Sequence, residues 1–425
     1  MSKQIVQIPV QKLSKGHYVS RLDRPWVGSP FLFQGFEIEN DEQLRQLRAL
    51  CSSVFVEITK EEADKLLSAA PPASASPRKR ESALVSLDAL SKSKDFASRI
   101  EIIPARDEVP LKSELSQAKE AYSEARRTVN HMFERLRRGG GLDMQLVEGA
   151  VDSMVQSLFR NRDAMGWLAR MREKDDYLYN HSLAASVWAL AFGRHLGLDR
   201  DALRSIGIGA MVLDIGKTRL PLSLLNKTGK PEEREWKALR DHVRLGLQIL
   251  EKDSNVDACA KLMVQMHHER LDGSGYPSGL AGDAIPLAGR IASIVDCYDA
   301  MISSRPYAKG LSTFDAVREL KSLGKTCFQP ELVELFIQAV GVFPTGTLVE
   351  LSSGEVAVVI TQNRFRRLRP EVMLILAADK RPRADFQLID LQHYSRDNDE
   401  GNPELWITRG LEPGAYDIDP TEFFL

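Results

Sequence analysis

A chain of 425 residues exceeds one ordinary domain, so roughly two to four domains are expected. The 43% of hydrophobic and 27% of charged residues are typical of a globular protein. The 57 basic and 59 acidic residues leave a net charge of −2, which excludes a general electrostatic attraction to DNA, RNA or an anionic membrane.

Cysteine usage and the N-terminal segment predict a cytoplasmic protein without a membrane span. The start, Met-Ser-Lys-Gln-Ile-Val-Gln, lacks the apolar run of a secretory signal peptide, and no uninterrupted apolar stretch approaches about 18 residues. The four cysteines form no CxxC pair, so reduced thiols are expected. They are Cys51, Cys259, Cys297 and Cys327.

Residues 1–68 predict a small N-terminal α/β module. Apolar residues alternate over 6–10 as in a short strand, and residues 54–58 repeat the pattern. Between them, 40–50 has the spacing of one amphipathic helix. The module carries no acid–base cluster, so a structural or sensory role is expected.

Residues 69–100 shift towards Ala, Ser and Pro and predict a flexible linker, whose basic triplet at 78–80 is typical of a solvated patch. Residues 101–144 then connect to the next module. Within them, 114–138 predicts one long charged helix that ends at the glycines 139–141. Two roles are equally open for this helix: a signalling helix between modules, or the outer helix of a bundle.

Residues 145–340 predict an all-helical bundle. Apolar side chains follow the helical period from Val147 to Leu158. Polar residues that project into such a bundle are available to build a site. Similar apolar spacing continues through residues 180–195, 199–213, 232–252 and 257–268.

Residues 341–425 predict a β-rich C-terminal domain. Segments 347–351 and 356–360 flank Ser-Ser-Gly-Glu as a hairpin, and 372–376 and 386–391 add strands. Four arginines between these strands are typical of a solvated or edge-protecting segment, with phosphate binding as the alternative. They are Arg364, Arg366, Arg367 and Arg369.

The segment 266–277, Met-His-His-Glu-Arg-Leu-Asp-Gly-Ser-Gly-Tyr-Pro, is the most distinctive part of the bundle. Neighbouring side chains on a helix diverge by about 100°. His267 and His268 therefore reach one metal most easily at a helix end, and the glycines and proline that follow supply the turn. For a histidine pair alone, a solvated helix end is the alternative.

Other histidines and acids of the bundle extend this pair into a candidate metal centre. Histidine and carboxylate ligands together suit Fe, Mn, Zn or Ni better than Ca or Mg. Each side chain alone is more often structural, as when an aspartate caps a helix; their number on successive helices favours a metal centre. The set is His181, Asp214, His242, His267, His268 and Asp296.

These residues occur in motifs that resemble the HD-GYP subgroup of the HD phosphohydrolases. The similarity covers roughly residues 145–340, and 267–277 is its most specific part. The first module also resembles an uncharacterised domain often found ahead of HD-GYP. The matching segments are His181, Leu-Asp214-Ile-Gly-Lys217, His242-Val, residues 267–277 and Asp296-Cys-Tyr-Asp-Ala-Met.

The resemblance implies a bacterial signalling enzyme whose bundle holds divalent transition metals, most often iron or manganese, with zinc or nickel as alternatives. Such proteins hydrolyse cyclic di-GMP to linear pGpG or GMP through a hydroxide that the metals activate. The partners it implies are diguanylate cyclases, other signalling proteins or a second copy of the chain.

Position by position, the resemblance makes Asp214 the bridge between metals and gives Lys217 a contact with the phosphate, so that these two serve catalysis. The metal ligands are the six residues of the candidate centre. The residues around the substrate are Lys217, Gly275, Tyr276, Pro277, Arg305 and Lys309.

The chain departs from the family pattern at Leu213, where the HD doublet carries a histidine. Leucine cannot ligate a metal, so one site keeps only His181, Asp214 and Asp296, while the other keeps its full set. Tyr177 stands where trinuclear members place an acid, so no third metal is expected. Two functions follow: a cyclic di-GMP phosphodiesterase, or a degenerate HD-GYP domain that senses the nucleotide or binds proteins without turnover.

Overall fold

The computed structural model describes residues 3–23, 31, 35–59, 62–63, 107–171, 177–227, 229–253, 255–303, 310–363, 366–394, 405–412 and 414–418. No helix within these ranges is long and apolar enough to cross a membrane. The predicted linker 69–100 lies outside the described residues, as do Arg305, Lys309 and Arg364.

The N-terminal module is an antiparallel sheet of four strands with one helix, which confirms the predicted α/β fold. Helix α1 (Asp41–Leu50) begins at a capping box in which the Asn40 side chain accepts from the Gln43 N–H. The strands, in the spatial order β1-β4-β2-β3, are β1 (Lys3–Pro9), β2 (Tyr18–Leu22), β3 (Phe36–Glu37) and β4 (Ser53–Thr59).

Twelve further helices among the described residues form the central bundle, as predicted. Edge-to-face contacts between buried aromatic rings tie its middle together, because Tyr298 lies 5.6 Å from Trp188 and 5.0 Å from Phe336 between ring centroids. The helices are α2 (Leu111–Arg137), α3 (Met144–Arg160), α4 (Arg162–Arg170), α5 (Tyr177–His195), α6 (Arg200–Met211), α7 (Leu222–Leu225), α8 (Glu233–Arg240), α9 (His242–Leu250), α10 (Ala258–Met266), α11 (Leu287–Ile302), α12 (Thr313–Leu323) and α13 (Pro330–Val340).

The long charged helix α2 is packed as part of the bundle. It buries Ala125, Val129 and Phe133 in the main core. Its buried Glu114 accepts from the Arg160 Nε at 2.7 Å. These contacts favour an outer helix of the bundle over a free-standing signalling helix.

Residues 232–252, where the apolar spacing predicted helical structure, form two helices, because the chain breaks at Asp241 into α8 and α9. The Asp241 N–H bonds back to the Ala238 carbonyl at 3.2 Å, which tightens the last turn of α8. The two helices differ in burial, since α9 buries several side chains and α8 buries none. The apolar spacing of the sequence did not reveal this break. The break makes His242 the first residue of α9.

The C-terminal domain is an antiparallel sheet of five strands, as the alternating segments predicted. One face packs on the bundle, since Val349, Ala357 and Leu374 belong to its core. The strands, in the spatial order β8-β7-β6-β5-β9, are β5 (Leu348–Leu351), β6 (Val356–Thr361), β7 (Glu371–Leu376), β8 (Pro382–Asp390) and β9 (Ile407–Gly410).

Arg366 corrects the expectation of a solvated arginine segment. Its side chain is only 9% exposed, and its guanidinium carbon lies 4.7 Å from the centroid of the Tyr18 ring. Its Nη1 also lies 3.4 Å from Glu37 Oε2. Both partners belong to the N-terminal sheet, so this arginine is buried because it joins the two β-modules.

Candidate metal centre

All six predicted ligands meet in the middle of the bundle, although they come from separate segments. His181 is the fifth residue of α5, Asp214 follows α6, and His242 begins α9. His267 and His268 follow the end of α10, and Asp296 lies within α11. Packing of these helices brings distant side chains together, since His181 Nε2 lies 3.1 Å from Asp296 Oδ1 across 115 positions of sequence.

Asp214 is the centre of this cluster. Its carboxylate is 1% exposed, and Oδ1 lies 3.3 Å from His242 Nε2 and 3.9 Å from His267 Nε2. Oδ2 lies 3.5 Å from His181 Nε2 and accepts from Lys217 Nζ at 2.5 Å. Burial by itself would raise the pKa of Asp214, but the charge of Lys217, together with the histidines in their protonated forms, holds it well below its usual range. The group is therefore an anion, as a metal ligand must be.

The turn that carries Asp214 approaches α9 at a glycine. An ideal Cβ on Gly216 would lie 1.9 Å from the His242 carbonyl oxygen and 2.5 Å from the Gly246 nitrogen. Only a residue without a side chain allows this approach. Gly216 thus sets the distance between Asp214 and His242.

The two adjacent histidines lie at a helix end, which confirms the predicted geometry. Helix α10 ends at Met266, and the Glu269 N–H turns back to the Met266 carbonyl at 2.9 Å. Both rings consequently face the cluster, with 4.1 Å between the centroids of His267 and His268.

The loop after the histidines folds back onto the same helix end. A Cβ on Gly275 would lie 2.4 Å from the Arg270 nitrogen and 2.5 Å from the His268 carbonyl oxygen. The Tyr276–Pro277 peptide bond is cis. A glycine is required at 275 because the backbone passes so close to the end of α10.

Glu269 anchors this loop and was not singled out from the sequence. Its carboxylate is buried and accepts from the backbone N–H groups of Ser278 at 2.8 Å and Leu280 at 2.9 Å. The sequence feature that could have identified Glu269 is its position directly after the histidine pair.

Tyr276 lies against the candidate metal centre. Its ring stacks on His268 with 4.5 Å between centroids, and the guanidinium carbon of Arg240 lies 4.9 Å from the same ring. Burial, followed by the charges of Asp296 and Asp214, raises the pKa of the Tyr276 hydroxyl. The loop tyrosine therefore forms part of the wall of the site.

The nitrogen and oxygen atoms that could ligate a metal are placed to fit a bound cation. The Nδ1 atoms of His242 and His267 each donate to a backbone carbonyl, at 2.6 and 2.8 Å, which leaves a lone pair on each Nε2 of the neutral rings. Those two Nε2 atoms lie 3.1 Å apart, and no hydrogen-bond donor among the described residues satisfies the buried Asp214 Oδ1 beside them. Three lone pairs directed into one buried space form an arrangement that could bind a cation.

Four residues meet the geometric requirement for one metal. Their ligand atoms all lie within 4.8 Å of one another, so only small shifts would bring each of them to the bonding distance of about 2.1 Å from one ion. Burial lowers the pKa of His242 to about 4 and also lowers the pKa of His267 and His268, so the rings are neutral at pH 7. The group is Asp214, His242, His267 and His268.

His181 is held by carboxylates on both ring nitrogens. Nε2 lies 3.1 Å from Asp296 Oδ1, and Nδ1 lies 2.7 Å from Asp299 Oδ2. Burial lowers the pKa of His181, but hydrogen bonds to Asp296 and Asp299 outweigh this effect and raise it to about 9. This half of the centre is therefore rich in negative charge.

Asp299 is a further residue that the sequence argument did not assign. It is fully buried and also accepts from Trp188 Nε1 at 2.8 Å, so it fixes the orientation of His181. Asp299 lies three residues after Asp296, so both side chains are on one face of α11. That spacing is the sequence feature that could have identified Asp299.

Leu213, which stands where the family motif has a histidine, is part of the hydrophobic core. Leu213 is 1% exposed and belongs to the main hydrophobic core. Tyr177 begins α5, but its side chain lies outside the part of the structure that is described. Arg305 and Lys309, expected near the nucleotide, lie in the undescribed range 304–309.

Comparison with known proteins agrees with this architecture. A family model described as "HD domain" matches residues 161–332, which includes all six predicted ligands. A second model, "Domain of unknown function (DUF3391)", matches residues 5–147, so the first module is similar to an uncharacterised domain, as expected.

Curated relatives extend the similarity over most of the chain. A cyclic di-GMP phosphodiesterase of Pseudomonas aeruginosa is 32% identical over 392 residues, which cover 91% of this chain and 88% of that protein. The cyclic di-GMP phosphodiesterase response regulator of Xanthomonas campestris is 34% identical over 46% of this chain and 52% of its own length. A 3'3'-cGAMP-specific phosphodiesterase of Vibrio cholerae is 39% identical over 29% of this chain and 24% of its own length.

The match to the Pseudomonas relative covers 91% of this chain, and the six residues of the candidate metal centre lie inside the matched HD domain. The chain therefore belongs to the HD-GYP family of HD-domain phosphodiesterases.

Proposed function

We propose that this chain hydrolyses cyclic di-GMP to linear pGpG or GMP in a reaction that depends on a bound iron or manganese ion. The observation that carries the proposal is the largely buried group of Asp214, His242, His267 and His268, whose ligand atoms all lie within 4.8 Å of one another. The names of the relatives over the same segments support cyclic di-GMP as the substrate.

The chain's own residues supply binding and orientation. Carbonyl contacts to the Nδ1 atoms hold His242 and His267 as neutral ligands, and Lys217 places a cation 2.5 Å from Asp214. When bound, the metal supplies Lewis-acid activation of water and neutralises charge at phosphorus. Tyr276 excludes water from one side of the site, because its ring covers His268.

The second candidate is a degenerate domain that binds the nucleotide without turnover. Leu213 favours it, because a buried leucine replaces a metal ligand of the family motif. A second metal site would then have only His181, Asp214 and Asp296, and His181 already contacts carboxylates through both nitrogens.

Metal analysis of anaerobically purified protein, with a product assay on cyclic di-GMP and 3'3'-cGAMP, separates these candidates. We expect about one tightly bound iron or manganese per chain, from the single complete ligand set, together with release of pGpG or GMP. Nucleotide binding without products would support the sensor. Hydrolysis of 3'3'-cGAMP alone would reassign the substrate.

Replacing Leu213 by histidine is expected to raise metal stoichiometry and the rate of hydrolysis together, since a completed second site clamps both the attacking and the leaving oxygen. Without metal, the buried polar ring costs about 2–4 kcal/mol of folding free energy. Thermal melting with and without added Mn²⁺ must therefore accompany the assay. A folded, metal-replete Leu213→His protein with an unchanged rate would show that Leu213 does not limit catalysis.

Removing the Lys217 amine is expected to lower kcat/KM for cyclic di-GMP about tenfold or more, because a charge-assisted phosphate contact is lost. Metal content should not fall, since the amine adds positive charge beside the ligand Asp214. Lys230→Ala removes an exposed cation elsewhere and is the matched control. Equal kinetics for Lys217→Ala and Lys230→Ala would rule out a phosphate contact.

A further inference from the structure

A stack of three side chains leads from the metal centre to the protein surface. The His268 ring lies 4.5 Å from the Tyr276 ring, and the guanidinium carbon of Arg240 lies 4.9 Å from the centroid of that tyrosine. Two contacts of this length therefore separate an exposed cation from a candidate metal ligand.

The position of Arg240 in the chain keeps it beside the centre. It is the last residue of α8, and His242 begins α9 two residues later. His242 is buried within the cluster, whereas Arg240 is exposed and leans over Tyr276. The guanidinium thus lies at the rim of the metal centre.

The N–H groups of Arg240 have no carboxylate partner among the described residues. The acids near it are already paired, since Asp241 binds Arg244 at 2.6 Å and Glu235 binds Lys227 at 2.7 Å. A cation that is held over an aromatic ring and not neutralised by an acid is available to an anionic ligand.

We propose that Arg240 binds the second phosphate of a cyclic dinucleotide, the one that is not being cleaved. This inference rests on the proposed function. The two phosphates of such a substrate lie across one twelve-membered ring, so the second must stay near the metal centre while the first is attacked. A planar guanidinium binds two phosphate oxygens at once, and its contact with Tyr276 orients it before the ligand arrives.

Arg240 would then select substrates that carry two phosphates over single phosphodiesters. For Arg240→Ala, we expect kcat/KM for cyclic di-GMP to fall about tenfold to a hundredfold. The loss for bis(p-nitrophenyl) phosphate, which has one phosphate, should be at least about ten times smaller by the same reasoning. Arg240→Lys should restore part of the loss, because it keeps the charge but not the fork.

Arg234→Ala is the matched control, since it removes an exposed arginine from the same helix and changes the net charge equally. Equal losses for both substrates in Arg240→Ala, with altered metal content, would mean that Arg240 only positions Tyr276 and would overturn the inference. Equal kinetics for Arg240→Ala and Arg234→Ala would overturn it as well. A wild type that neither binds nor hydrolyses cyclic di-GMP would instead reject the proposed function, and the inference with it.

Discussion

His267→Ala is expected to purify without its metal and to lose hydrolysis on the order of a thousandfold or more, since several kcal/mol of transition-state stabilisation depend on the ion. The ring is fully buried, its Nδ1 is fixed by the Val264 carbonyl, and its Nε2 lies 3.1 Å from His242 Nε2. The other three residues of the four-ligand group would hold an ion less tightly than all four. Elemental analysis and product chromatography measure the two effects.

His131→Ala is the control for this variant, because His131 is exposed on α2 and lies outside the cluster. Thermal melting of both proteins without metal separates ligand loss from misfolding. A folded His267→Ala protein that keeps the wild-type metal content would contradict the assignment of His267 as a ligand.

Gly216→Ala is expected to destabilise the protein by about 1–3 kcal/mol or more and to lower metal affinity, although it adds one methyl group. The added Cβ would lie 1.9 Å from the His242 carbonyl oxygen, which is backbone and cannot rotate away. The turn and α9 must therefore separate, and Asp214 then moves away from His242. Denaturant unfolding and metal titration report the two consequences.

Gly149→Ala provides a control with the opposite sign. Gly149 lies inside α3, and nothing lies within 4 Å of its ideal Cβ. The same substitution should stabilise this helix by roughly 0.5–1 kcal/mol, because alanine loses less backbone entropy than glycine. If Gly216→Ala were as stable as Gly149→Ala, the close approach of the Asp214 turn to α9 would be refuted.

The identity of the candidate ligands was available from the sequence because it depends on residue type and on local spacing. The histidine pair at 267–268, with glycines and a proline behind it, predicted a helix end, and α10 ends at Met266. Alternating apolar residues likewise predicted both sheets, and the helical period predicted the bundle, since each pattern repeats within a few residues.

Only the tertiary structure decided which distant side chains complete the site and join the modules. Asp299 orients His181 across 118 positions of sequence, and Arg366 is buried against Tyr18 of the N-terminal sheet. The break at Asp241 makes His242 the first residue of α9. The spacing of apolar residues could not predict this break, because α8 buries no side chain. Periodicity reports which face of a segment is buried, whereas these features depend on which other segment is packed against it.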